Sequence, residues 1–174
     1  MTKRLGKEPE MSRKTCKFIV LSVIGICILL FFLRCCMGVL FFENRTSSAP
    51  RGIYVRSFGA LRYEDYVVVS LDRDVASLKE GSLLLKRVKG FPGDVYVIKD
   101  RMLEVRGQMF RLKDIKGLPK LRSGSYIVPD GEVLLINDAT DSFDSRYLGP
   151  LRRDRVQAKV RILVPYETLF CIFS

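Results

Sequence analysis

The chain has 174 residues, a formal net charge of +11, five cysteines and no histidine. Without histidine a Ser-His-Asp triad is impossible and most zinc sites are removed, whereas serine–lysine chemistry remains open. Setting aside an apolar N-terminal stretch leaves about 130 residues, the size of one compact domain.

The chain starts basic: Lys3, Arg4, Lys7, Arg13, Lys14 and Lys17 stand against Glu8 and Glu10. Residues 18–33 are then apolar or small without a break, Arg34 interrupts, and residues 35–42 resume the run. A bilayer core takes about 20 residues of helix, so residues 18–42 are expected to form a transmembrane anchor. Arg34 would lie in the outer half and snorkel to the headgroups. The positive-inside rule keeps residues 1–17 in the cytoplasm and places a domain of residues 43–174 on the outer face of the inner membrane, against lipid. A buried core helix is disfavoured by apolar residues on all sides. A cleavable signal peptide is the competing reading, but no clear small-x-small cleavage site follows the run before Thr46. Cys16, Cys27, Cys35 and Cys36 lie in or beside this segment; Cys171 stands alone downstream, so the domain closes no internal disulfide. Cys35 and Cys36 have no assignable role.

Beyond the anchor the pattern changes to short runs of β-formers: residues 66–70, 82–88, 95–98, 102–105, 132–136 and 156–164. Turn signals separate them at Lys99-Asp100, Arg106-Gly107, Pro129-Asp130-Gly131 and Gly149-Pro150. This spacing predicts a mostly β domain of antiparallel strands. Residues 74–80 suit one short helical turn, and residues 106–127 a loop or loose hairpin. The basic residues Arg152, Arg153, Arg155, Lys159 and Arg161 read as a solvated face near anionic headgroups. Nucleic acid is not expected as a partner, because the aromatics that stack bases are not interleaved there.

Three segments carry chemistry. In the first, Asn44, Thr46, Ser48, Pro50, Gly52 and Tyr54 alternate, so they share one orientation if the chain is extended. Pro50 has no amide proton for a central ladder, which favours an edge strand open to an added peptide. The same residues also fit a polar linker, and Asn44-Arg45-Thr46 matches a glycosylation sequon. In the second, Ser82, Leu84, Lys86 and Val88 face one side of a strand. A lysine buried between Leu84 and Val88 would lose its charge and become able to accept a serine proton; the alternative is a solvated lysine protecting an edge. Gly90-Phe91-Pro92-Gly93-Asp94 then reads as a tight turn. In the third, residues 137–149, Asp144 can pair with Arg146, and Ser142 can hydrogen-bond a neighbouring amine; an ordinary Asx/Ser loop has the same composition.

Together these segments resemble the membrane-anchored serine/lysine signal peptidases, most closely their conjugative-transfer, TraF-type branch. The likeness rests on Asn-x-Thr-x-Ser-x-Pro-x-Gly-x-Tyr from Asn44 to Tyr54, on Lys86-Arg87-Val88-x-Gly90-x-Pro92-Gly93-Asp94, and on Ser142-x-Asp144-Ser145-Arg146 with Gly149 following. The resemblance implies a signal-peptidase-type β fold, a nucleophile at Ser48 and a general base at Lys86. It implies an oxyanion hole from the Ser48 backbone N–H and the Thr46 hydroxyl, with Ser142 orienting Lys86 and Asp144 and Arg146 supporting the loop. No metal or cofactor is implied. The implied substrate is a preprotein with small residues at P1 and P3, a conjugative pilin precursor for this branch. Ser48-Ala49-Pro50 and Ile136-Asn137-Asp138-Ala139 depart from the general enzyme's Ser-Met-x-Pro and Gly-Asp-Asn-Arg. Ser47 is a rival nucleophile. A general signal peptidase I and a non-enzymatic, membrane-tethered assembly factor of a transfer system are the competing functions.

Overall fold

The computed structural model describes residues 13–114, 117–118 and 121–168. Residues 1–12 of the expected tail, and Cys171, lie outside them. The first unit is α1, Arg13–Leu40. Within it Lys17–Cys35 is long and apolar enough to cross a membrane, with a mean hydropathy of 2.7 and its side chains exposed. The helix stops two residues before the expected end of the anchor. Phe41 and Phe42 instead open strand β1, Phe41–Asn44, opposite Val55 and Tyr54.

The second unit, residues 41–174, is mostly antiparallel β, in agreement with the fold class expected. Its strands after β1 are β2 Gly52–Ser57, β3 Tyr66–Ser70, β4 Leu83–Gly90, β5 Val95–Lys99, β6 Met102–Val105, β7 Gln108–Arg111, β8 Gly124–Ile127 and β9 Glu132–Leu135. The short helix α2, Ser145–Leu148, precedes β10, Leu151–Arg152, and β11, Val156–Pro165. A seven-stranded sheet runs β1-β2-β11-β3-β4-β9-β10, and a four-stranded sheet runs β7-β6-β5-β8.

The apolar runs of β3 and β9 follow from burial on both faces, which removes the polar alternation of a half-exposed strand. Val67 and Val69 join one core with Val88, Val133 and Leu135, while Val68 packs on Tyr54 and Val160. In β9, Leu134 turns to the four-stranded sheet and joins Ile98, Leu103 and Phe110. The hairpin turns sit where the sequence marks them: Asp100 and Arg101 between β5 and β6, and Arg106 and Gly107 between β6 and β7, all have positive φ. Such turns match the twist of the strands they join.

Three local expectations are corrected. Residues 74–80 do not form a helical turn: Val75 and Leu78 bond each other's backbones across a tight bridge, with Ala76 at φ 53°. Asp74 holds that bridge by accepting from the Glu80 amide and from Lys79. Within residues 106–127, Gln108–Arg111 and Gly124–Ile127 are not loop but strands β7 and β8, which pair with β6 and β5. The Asn44–Tyr54 segment is not one extended strand at an edge. Strand β1 is the edge, β2 is interior, and residues 45–51 turn between them.

Candidate active site

Asn44 builds the turn that carries Ser48. Its side-chain nitrogen donates to the carbonyls of Thr46, Ala49 and Pro50 at 3.0–3.1 Å. Its side-chain oxygen accepts from the Thr46 amide at 3.2 Å and the Thr46 hydroxyl at 2.7 Å. An asparagine is needed because one residue must supply both donors and an acceptor to a bent backbone. With Asn44 only 6% exposed and its amide so engaged, the sequon has no free nitrogen to modify. Tyr54, fully buried, donates its hydroxyl to the Pro50 carbonyl at 2.8 Å. Gly52 closes the turn where any side chain would collide, since a Cβ there would stand 2.3 Å from the Val164 carbonyl oxygen.

Ser48 Oγ lies 3.2 Å from Thr46 Oγ1 and 3.5 Å from Asn137 Nδ2. Because the Thr46 proton is committed to Asn44, Ser48 is the donor in the first contact. Asn137 is itself fixed: its Nδ2 donates to the Leu85 carbonyl at 2.9 Å, alongside the Ile136 amide donating to the Arg87 carbonyl. Asn137 thus prolongs the β9–β4 ladder past the last backbone pair.

Lys86 sits in interior strand β4, opposite Val67 of β3, so it is not an edge lysine. It is 4% exposed, and its Nζ donates to Ser142 Oγ at 2.9 Å. Burial is the main cause that lowers its pKa from 10.5 to about 8; the Asp144 carboxylate opposes this, Arg146 adds to it, and Asp141 opposes it. No hydrogen bond joins Lys86 to Ser48 directly among the described residues. Both line one pocket of about 520 Å³, together with Thr46, Asp141 and apolar side chains of β3 and β4.

Ser142 is held by the loop leading into α2. Asp144, fully buried, caps the helix through the Arg146 amide and accepts from the Asn137 amide at 3.1 Å. The Arg146 guanidinium, 1% exposed, meets the Asp144 carboxylate at 2.8 Å. It also donates to the carbonyls of Asn137 at 3.1 Å and Ala139 at 2.6 Å. Ser145 Oγ accepts from the Leu135 amide. A buried ion pair is tolerable when its remaining hydrogen-bonding positions are filled, and here the loop itself fills them. The six residues singled out in the sequence therefore converge on one region. The contacts of Asn44 and Asn137 were not foreseen, although Asn44 heads a run of turn-forming residues and Asn137 ends an apolar strand.

The profile of the signal peptidase, peptidase S26 family matches residues 14–165. The chain belongs to that signal peptidase family. Among its relatives, a plasmid transfer protein TraF of Escherichia coli is 31% identical over 145 residues, covering 71% of this chain and 82% of that protein. The signal peptidase I V of Bacillus subtilis (strain 168) is 32% identical over 89 residues, covering 42% and 53%. A crystal structure of a signal peptidase I from Enterococcus faecalis V583 superposes with a TM-score of 0.40 and 18% identity, covering 62% of this chain and all of that one. Membership of the S26 family places this chain in a serine peptidase class, and its apolar N-terminal helix fits a membrane-anchored family member.

Proposed function

We propose that the chain is a membrane-bound serine endopeptidase with a Ser48–Lys86 dyad, cleaving a preprotein on the outer face of the inner membrane. The observation that carries this reading is the Lys86 amine, which is 4% exposed and has its pKa lowered to about 8 in the pocket that Ser48 also lines. About a tenth of such an amine is neutral at pH 7, against a negligible share of an ordinary lysine. By donating one proton to Ser142, Lys86 keeps its lone pair free for the Ser48 hydroxyl. That hydroxyl must first swing from Thr46 towards Lys86.

Ser48 Oγ then attacks the scissile carbonyl, Lys86 takes its proton, and the Ser48 backbone N–H meets the developing oxyanion. The Thr46 hydroxyl joins it by turning its proton from Asn44. Lys86 returns the proton to the leaving amine, and water releases the acyl group. Ser142 orients the amine, while Asp144 and Arg146 keep the Ser142 loop in place. Of the two serines in the turn, Ser48 is the better nucleophile because its hydroxyl has the fixed contacts to Thr46 and Asn137.

The likeness to the plasmid transfer proteins supports a substrate from a conjugative system, a pilin precursor with small residues at P1 and P3. The apolar walls of the Ser48–Lys86 pocket suit such residues. The test is cleavage of a pilin precursor in membranes by the wild type and by Ser48→Ala and Lys86→Ala. Both variants are expected to be inactive; cleavage by either refutes the dyad.

A further inference from the structure

Ser48 borders two pockets that differ in their aliphatic lining. The first contains Lys86 and Asp141, is walled by side chains such as Val68, Leu84, Leu85 and Phe143, and has the mutually paired Glu43 and Arg45 in its lining. The second, about 730 Å³, shares Ser47 and Ser48 with it but is lined by Arg51, Tyr66, Arg87, Asp138 and Glu167 in place of Lys86 and the leucines.

One wall of the second pocket is fixed. The Arg87 guanidinium lies 4.6 Å over the Tyr66 ring, donates to the Tyr66 hydroxyl at 2.9 Å and meets Asp138 at 2.8 Å. The other Asp138 oxygen pairs at 3.0 Å with Lys89, which is 4% exposed. Arg51 and Glu167 are exposed and have no side-chain partner among the described residues, so both remain available to a ligand. The lining holds two guanidiniums and two carboxylates, and its charge is balanced.

We infer that this second pocket is the subsite for the leaving half of the substrate, selecting hydrophilic side chains of either sign at the first two positions after the cut. The inference rests on the reading of Ser48 as the nucleophile. A peptide lying across Ser48 occupies both pockets, and the apolar one beside the base suits the acyl half with its small apolar residues. When the Ser48 Oγ–carbon bond has formed and the carbon–nitrogen bond breaks, the amine takes its proton from Lys86 and departs through the polar pocket. A large apolar side chain there would strip water from Arg51, Glu167 and Arg87 without replacing its hydrogen bonds, whereas a polar one replaces them.

The test uses full-length protein in detergent micelles and peptides sharing one acyl half, with Leu, Ser, Asp or Lys at the first two positions after the cut. The Ser, Asp and Lys peptides are expected to have similar kcat/KM, and Leu at either position to lower it about tenfold. The double variant Arg51→Leu, Glu167→Leu is expected to narrow that gap to about threefold or less. Equal rates for Leu and polar peptides in the wild type, or a gap that the double variant preserves, overturn the inference. A nitrophenyl ester of the same acyl half has no peptide on its leaving side. If it acylates wild-type Ser48 while the peptides are not discriminated, this inference alone fails; if it leaves Ser48 unlabelled, the dyad reading fails as well.

Discussion

Lys86 and Lys89 lie three residues apart on β4, and each is 4% exposed, yet their surroundings differ completely. Lys89 is caged: its Nζ meets both oxygens of Glu64 at 2.8 and 3.0 Å, Asp138 at 3.0 Å and Gln108 at 3.0 Å, over the Phe110 ring. Among the described residues, Lys86 has only the Ser142 hydroxyl as a hydrogen-bond partner. Asp144, two residues past Ser142, is taken up by Arg146. Burial alone therefore does not make a base. A buried lysine given carboxylates ties segments together; one given a hydroxyl is pushed towards the neutral amine.

The largest expected contrast is in activity. Lys86→Met should lower kcat/KM by about 10⁴-fold or more, as removing one member of a catalytic set does. Lys89→Met should retain most of the activity that its folded fraction allows. Steady-state cleavage with active-site titration by an acylating probe separates the two, and equal losses would erase the distinction.

Stability should move in opposite directions. The folded pKa of Lys86 is lowered to about 8 from an ordinary 10.5. Between these values the unfolded chain binds more protons, so stability rises with pH across that window; below about pH 8 the full cost of burying the charge is present. Lys86→Met should therefore stabilise the domain at pH 7, by up to about 3 kcal/mol, and the gain should fade as pH approaches 10.5. Lys89→Met should destabilise it by about 1–3 kcal/mol, because Glu64 and Asp138 lose a cation but stay partly hydrated. Thermal unfolding of both variants between pH 6 and pH 10 checks the signs (on the order of the window set by these values).

Smaller effects sharpen the account of the Ser48 turn. Asn44→Ala leaves three carbonyls and the Thr46 hydroxyl without their partner, and is expected to cost about 1–3 kcal/mol. Gly52→Ala pushes a methyl into the Val164 carbonyl, with a comparable cost of about 1–3 kcal/mol. Asn137→Ala removes a long contact to Ser48 and the bond to the Leu85 carbonyl, and should lower kcat about tenfold. Excess chelator should change nothing, since neither proposed step needs a metal; loss of cleavage reversed by zinc would contradict the mechanism.

Much of the fold is legible in residue order because it depends on neighbours along the chain. The runs at Tyr66–Ser70 and Met102–Val105 are β-branched and apolar between turn residues, and they form strands with those bounds. Lys86 is also legible as a candidate, since Leu84 and Val88 share its side of the strand. The failures have a common cause. Residues 74–80 look helical until Val75 and Leu78 bond each other, and the Asn44–Tyr54 comb looks extended until Asn44 gathers carbonyls from Thr46, Ala49 and Pro50. A side chain that folds the backbone around itself breaks the alternation from which its orientation would be read. The cage of Lys89 draws on Glu64, Gln108 and Asp138, which only the tertiary fold brings together, and no local pattern separates it from Lys86.

The most direct measurement is the pH dependence of Ser48 acylation by a small activated ester in the wild type and in Lys86→Met. The account predicts a rate that rises with pH through a single ionisation at about 8 and is lost in the variant. A wild-type limb at the ordinary lysine value, or a variant that acylates as fast as the wild type, would contradict it.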